Sequence, residues 1–417
     1  MGSTPLPPEL LQCLQVFRPV FHAASWESFV YLITGLLLGQ AQAGVVRASL
    51  LAPLGYNWRR LPDLLRRHRW SGRRLMVLLT QLVLLLLYPH GFPAHLFWVV
   101  DGTYLEKMYA QAIDDLRVYY RPHPKTGQNR RLKGHGLLLV AHLYQQTAHR
   151  FRAFLLGGLL YLKQLTWVQL SQQLITLLPL PTETHNVFLT DRGLTALSLA
   201  HTLHDHQAFL LGRVKRNAVF YLPATAADYK GRGRPPRYGQ KFRADAVPKE
   251  RMRCTPMDIP IAGDLYPGQV YRATLLRRGL PGPVELLRVE VGDLPPWLLM
   301  STDGTLTTDA AVWAYYGRSQ VEVAIGESKV LGLDQYRGRR RAGITRWPMV
   351  IAVVHSLLQL LAVGALAVTL PRQNWPWYRK ETTVGSIQRR LVHWVAQHLF
   401  SHLFPAPQTQ EKIAQRA

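Results

Sequence analysis

Four residues spaced for one helical face carry the clearest chemistry in this chain. Tyr315, Arg318, Glu322 and Lys329 follow one another at intervals of three, four and seven residues. At about 100° per residue, their side chains fall within roughly 60° of one another around a helix. A carboxylate in that company can hold a metal ion. Arginine and lysine bind phosphate, and tyrosine donates a hydrogen bond or stacks. Such a face suits metal-dependent chemistry on a DNA backbone; the plainer description is an exposed helix with one salt-bridged acid. On the same helix Glu327 sits about 140° from Glu322 and is expected to face solvent, while Ala314, Val321 and Ile325 form a neighbouring apolar stripe for packing.

Acids are scarce, 25 against 50 lysines and arginines, so an acid beside an apolar run is informative. Asp101 follows Phe97-Trp98-Val99-Val100, and Asp191 follows Val187-Phe188-Leu189-Thr190. Each run reads as a buried strand. Burying an ionised carboxylate costs several kcal/mol unless it is paired or binds a metal. Two strand acids and one helix acid can converge on a pair of Mg²⁺ ions about 3.5–4 Å apart, which activate an attacking oxygen and stabilise a leaving one. Mg²⁺ takes few carboxylates, with waters and substrate phosphates completing its shell. The structural alternative for Asp191 is a strand-end or helix-cap aspartate.

The elements that must position these residues follow from periodicity. Residues 9–88 read as mostly helical, with apolar spacing through 29–38, 45–54 and 75–87. Between them, residues 57–70 hold five arginines and His68 flanked by Trp58 and Trp70, either a DNA-touching module or a solvated face. Strands are expected at 95–105, 136–143, 151–161, 186–190 and 208–214, with helices at 162–178 and 193–204. This alternation predicts an α/β sheet with helices packed on it. Residues 217–297 read as a β-rich insertion with strands near 257–261, 269–276 and 284–291. Its basic, turn-rich loop around 230–243 is expected to track DNA phosphates. The α/β pattern resumes with a strand at 298–302, the helix carrying Glu322, and an apolar helix from Ile344. Residues after Pro405 are polar and expected to be mobile.

A chain of 417 residues with formal net charge +25 and a pI near 10.4 favours a polyanionic partner, nucleic acid first. Two cysteines, Cys13 and Cys254, give neither a metal-ligand cluster nor a disulfide framework, which points to a reducing cytoplasm. The first nine residues lack the order of a signal peptide. Residues 75–88 are too short to span a bilayer. Residues 349–370 are long enough but carry His355, Ser356 and Gln359, and are expected to form a buried core helix. No Walker phosphate loop is present, so ATP is not implied. His204-Asp205-His206 is read as a solvated helix end.

Taken together, these motifs resemble the DDE transposases of the insertion sequence 4 superfamily, including its 701-like relatives. Tyr315, Arg318, Glu322 and Lys329 match that family's Tyr-(2)-Arg-(3)-Glu-(6)-Lys signature. Residues 99–103 and 189–193 resemble its two aspartate motifs, and segments at 233–239, 299–303 and 331–334 are similar to others. The likeness spans roughly residues 20–365. One departure is Gly102, where many 701-like relatives carry a second aspartate.

The resemblance implies an RNase H-like catalytic core in two parts, 91–216 and 298–370, interrupted by the insertion at 217–297. A helical, DNA-binding region at 1–90 would precede it, and a helical segment with a mobile tail at 371–417 would follow. It implies cut-and-paste transposition, in which DNA is cleaved at each transposon end and the freed 3′ hydroxyl attacks target DNA; relatives can pass through a hairpin. Asp101, Asp191 and Glu322 would be catalytic and hold Mg²⁺, with Mn²⁺ substituting. Arg318 and Lys329 would clamp phosphate and Tyr315 would orient DNA, while Arg232, Arg234, Arg237 and Lys241 supply the loop's contacts. The implied partners are double-stranded DNA and a second copy of the chain, at the nucleoid, with no membrane. The competing descriptions are a catalytically inactive DNA-binding descendant and a basic membrane protein using residues 349–370.

Overall fold

The computed structural model describes residues 6–39, 60–108, 110–122, 126–162, 164–229, 231, 233–371 and 383–401. The helices in chain order are α1 (Pro8–Gln15), α2 (Ala23–Leu38), α3 (Arg60–Arg66), α4 (Gly72–Leu87), α5 (Trp167–Ile175), α6 (Leu197–Asp205), α7 (Thr308–Gly317), α8 (Gln320–Val330), α9 (Arg341–Ala362) and α10 (Val384–Ser401). The strands are β1 (His95–Glu106), β2 (Arg117–Pro122), β3 (Asn129–Thr147), β4 (Arg150–Leu160), β5 (His185–Thr190), β6 (Ala208–Arg213), β7 (Val219–Pro223), β8 (Tyr238–Arg243), β9 (Arg253–Ile261), β10 (Asp264–Leu276), β11 (Pro283–Glu290) and β12 (Trp297–Ser301). The protein is mixed α/β and divides into two compact units: Met1–Leu87 with Glu327–Ala417, and Tyr88–Gly326.

The first unit is helical and organised around α9, which packs against α2, α3, α4 and α10. Val350, Val353, Val354 and Leu357 are fully buried along it. It is the one described helix long and apolar enough to cross a bilayer, yet 89% of its apolar window is buried within the protein. The polar residues within it are satisfied internally. His355 Nε2 and Gln359 Nε2 lie 3.2 and 2.9 Å from Glu327 Oε2, and the backbone N–H of Val384 donates to Glu327 Oε1 at 3.2 Å. This corrects the expectation that Glu327 faces solvent, because polar groups sunk in an apolar helix need a partner and Glu327 supplies it. Trp70 is buried and donates to Leu64 O, while Arg346 donates to Leu65 O and Trp70 O. That arrangement locks the end of the basic segment into the helical packing. The expected helix at 45–54 and residues 57–59 lie outside the described residues.

The second unit holds a large mixed sheet whose order runs β2-β3-β1-β5-β6-β12-β11-β10-β7-β8, with β4 on β3 and β9 on β10. The long strand β3 pairs with β1 along one edge and with β2 and then β4 along the other. Its polar start, Asn129-Arg130-Arg131, hides from an apolar pattern the length that the structure reveals. β5 and β6 lie parallel to β1, and α5 and α6 precede them in the chain. β7 to β11 fill the stretch between β6 and β12. β12 returns antiparallel to β6, so the inserted strands continue the same sheet.

The segment expected over 298–370 divides between the units. β12, α7 and most of α8 stay with the sheet, while α9 buries its apolar surface among the N-terminal helices. The basic loop also differs from expectation. Residues 238–243 form β8, paired antiparallel with β7 from Val219↔Arg243 to Pro223↔Tyr238.

Candidate active site

β1 and β5 are in parallel register from His95↔His185 to Val99↔Leu189. Two residues beyond the last pair, Asp101 and Asp191 follow in step on neighbouring strands roughly 5 Å apart. Asp101 lies inside β1, opposite Leu139 of β3, at the level where β5 has ended. β5 and β6 pair up to Thr190↔Gly212, which carries Arg213 alongside Asp191. The three parallel strands thus carry Asp101, Asp191 and Arg213 in a row at the level where β5 and β6 end. The crevice outside the carboxyl ends of such strands is where open α/β sheets bind ligands.

The local chain explains each placement. The Asp191 backbone oxygen accepts from the Thr195 hydroxyl at 2.6 Å, and its Oδ1 accepts from the Leu194 N–H at 2.9 Å. This folds 191–196 into a turn before α6, where a continuous helix from residue 193 was expected. The Asp101 Oδ1 accepts from the Gly102 N–H at 2.8 Å. A Cβ on Gly102 would lie 3.1 Å from the Trp167 ring, itself stacked on Tyr161. The space beside Gly102 is therefore occupied by tryptophan.

The third acid arrives on a broken helix. Instead of one helix through 315–329, α7 ends at Gly317 and α8 starts at Gln320. Through the join the backbone tightens, with Val321 N–H bonded to Arg318 O and Glu322 N–H to Ser319 O. Gly317 and Ser319 are weak helix formers. Gly317 also sits where a Cβ would come within 2.7 Å of the Phe151 ring. This close approach brings α7 down onto the sheet and aims Arg318 at the acids. Ala314, Val321 and Ile325 are buried as the apolar stripe requires, and Glu322 is left 65% exposed.

Arg318 joins the acids: its guanidinium lies 3.4 Å from Asp101 Oδ2 and 3.5 Å from Glu322 Oε1. The Asp101 carboxyl is held above its usual range. Burial is the main cause and repulsion from Asp191 and Glu322 adds to it, against the pull of Arg318 and the Gly102 N–H. Tyr315 stays protonated to higher pH than an ordinary phenol, chiefly through burial, with Arg318 and Arg213 opposing and Asp191 reinforcing. The structure therefore brings Asp101, Asp191, Glu322, Arg318 and Tyr315 into one electrostatic neighbourhood and adds Arg213. Sequence reasoning missed Arg213; its signal is a basic residue ending a predicted parallel strand at the level of Asp191.

The remaining candidates are placed differently. Lys329 lies in the last turn of α8, in the other unit. Arg234 and Lys241 are exposed. Arg237 donates to the carbonyls of Leu280 and Pro281 and lies over the Tyr238 ring, so its guanidinium is engaged in holding the loop. Arg232 lies outside the described residues.

Among the described residues, a different trio has ligand atoms all within 4.8 Å of one another: His95, His185 and Asp303. Sequence reasoning missed it too, since the three are far apart in the chain. Neither a protein-family model nor a curated protein sequence matches this chain.

Proposed function

We propose that this chain is a metal-dependent DNA transposase of the DDE kind, working through Asp101, Asp191 and Glu322. One observation carries the reading: two acids in step on adjacent parallel strands share an electrostatic neighbourhood with Glu322, which comes from the Tyr-Arg-Glu-Lys segment. The antiparallel β4-β3-β1 followed by parallel β5 and β6 is compatible with an RNase H-like core. So is the run of inserted strands ahead of the glutamate helix.

The donor set fits Mg²⁺ or Mn²⁺, since all three groups are carboxylates and the cluster lacks the counter-charge to keep Asp101 comfortable as an anion. Asp101, Asp191 and Glu322 would hold the ions, which polarise phosphate and stabilise the attacking and leaving oxygens of in-line displacement. Arg318 offers a planar donor fork to a phosphate oxygen pair once its acids are otherwise balanced. Arg213 adds positive potential beside Asp191. Tyr315, kept protonated, donates a hydrogen bond or stacks next to the cleaved strand. Lys329, Arg234 and Lys241 are assigned to the DNA backbone, and the net charge of +25 supports a salt-sensitive grip. The partners on this reading are transposon-end and target DNA, with two copies of the chain on paired ends at the nucleoid.

The test is excision from a plasmid carrying the gene with its native flanking DNA. Glu322→Gln is expected to abolish cleavage while leaving DNA binding largely intact. Cleavage at the normal rate by that variant would sink the assignment, and loss of binding along with cleavage would point to misfolding.

A further inference from the structure

We propose that His95, His185 and Asp303 form a second metal site, selective for zinc-class divalent cations and separate from the acid row. His95 and His185 open β1 and β5 and face each other in register. They stand six residues before Asp101 and Asp191 on the same strands, about 20 Å away at the rise of a strand. Asp303 follows β12, on the chain returning from the insertion.

The distances suit a cation. Asp303 Oδ2 lies 3.2 Å from His95 Nε2 and 3.0 Å from His185 Nδ1. Bonds of about 2.0–2.1 Å to a tetrahedral ion place ligand atoms about 3.3–3.4 Å apart. Both Asp303–histidine separations are within a few tenths of an ångström of that spacing, and all three ligand atoms lie within 4.8 Å of one another. Two imidazole nitrogens and a carboxylate select zinc, cobalt or nickel over Mg²⁺, which prefers oxygen ligands alone. The two sites are thus separable by metal.

The surroundings hold the ligands in place. Thr305 donates to Asp303 Oδ1 through its hydroxyl at 2.7 Å and its N–H at 2.9 Å, turning Oδ2 toward the histidines. The Thr305 hydroxyl also lies 3.3 Å from His95 Nε2 and 3.2 Å from His185 Nδ1. The His185 ring stacks on Phe209 and the His95 ring on Phe97. Such supports fix ring orientation in metal sites. Asp303 is only 1% exposed, so its charge must be balanced locally. His185 is 41% exposed and lines an open cavity of about 850 Å³, shared with His204 and Asp205. A fourth coordination position can open in that direction. Four residues after Asp303, Thr307 caps α7, so a bound ion would clamp the start of the segment that carries Arg318 to the amino ends of β1 and β5.

The measurement is zinc binding by the full chain, and it does not depend on transposase activity. Chelator-stripped protein is titrated with Zn²⁺ by calorimetry and with Co²⁺ by visible absorption. Wild type is expected to bind one equivalent of Zn²⁺ at this site and to give the intense bands of low-coordinate cobalt. His95→Gln and His185→Gln should each weaken binding tenfold or more, while Glu322→Gln leaves it unchanged. Thermal unfolding covers the possibility that a variant folds poorly: Zn²⁺ should raise the wild-type Tm and leave that of His185→Gln unmoved. Equal Zn²⁺ affinity in wild type and the double histidine variant, or no Zn²⁺-dependent rise in the wild-type Tm, overturns the proposal and leaves a hydrogen-bonded latch.

Discussion

Arg318 reaches Asp101 across 3.4 Å although 217 residues separate them in the chain. The contact binds the loop of sequence that contains the insertion into one site, because Arg318 also touches Glu322. A guanidinium in this place supplies positive charge that three neighbouring acids require.

Replacing Asp101 by Asn should separate stability from function. Its folded pKa is raised, so the fold favours the protonated form. The stability this gives is fully present below the unfolded value and is lost as pH rises through the folded one. At neutral pH the ionised group is a burden that Asn does not carry. Metal-free Asp101→Asn should therefore unfold at a temperature no lower than wild type, and on the proposed function Mg²⁺ should raise the Tm of wild type and not that of the variant. An unchanged Mg²⁺ effect in the variant would remove Asp101 from the metal site.

Arg213→Ala tests the residue at the end of the strand row. On the proposed function, loss of this cation should slow cleavage roughly tenfold or more and reduce the salt slope of DNA binding by about one. Cleavage and salt dependence equal to wild type would make Arg213 a purely structural partner of Tyr315.

Gly317→Ala places a methyl group 2.7 Å from the Phe151 ring. Overpacking of this kind costs about 1–3 kcal/mol, read as a lower midpoint in urea. Combining it with Phe151→Leu should recover part of the loss. If the single variant unfolds at the wild-type midpoint, α7 is not pinned by this contact.

His142 gives the fold a response to acid. It is fully buried, its Nε2 lies 2.8 Å from the Tyr88 hydroxyl, and burial lowers its pKa to about 3. In the unfolded chain it takes a proton near its ordinary value of 6.5. A depressed folded pKa means the contribution is whole above 6.5 and is lost as pH falls toward 3. The slope is at most about 1.4 kcal/mol per pH unit from this one group. Denaturant titrations between pH 7 and 4 should show a shallower decline for His142→Gln than for wild type; parallel declines would assign the acid sensitivity elsewhere.

The local parts of the site were legible in the sequence because each is a short pattern. Val99-Val100-Asp101 and Leu189-Thr190-Asp191 declare a strand and the acid that follows it, and Tyr315 to Glu322 declares a helical neighbourhood. What required coordinates was pairing. Arg213 matters only because β6 lies beside β5, and Asp303 matters only because β12 returns past the starts of β1 and β5. The close approach of Gly317 to Phe151, where a Cβ would meet the ring, is a tertiary contact that no helical wheel contains. Glu327 was misplaced for the same reason: the wheel fixed its angle from Glu322, but His355 and Gln359 on another helix decided its surroundings.

The insertion of β7 to β11 between β6 and β12 also sets a timetable. The 131 residues from Arg192 through Glu322 take roughly 7–26 s to synthesise at about 5–20 residues per second. Through that interval a nascent chain holds two acids and lacks the third. On the proposed function, products truncated inside the insertion would keep basic residues and two of the three carboxylates, making them inert competitors for the same DNA. On that reading the long β excursion works as a delay, and competence comes only once α8 has been made.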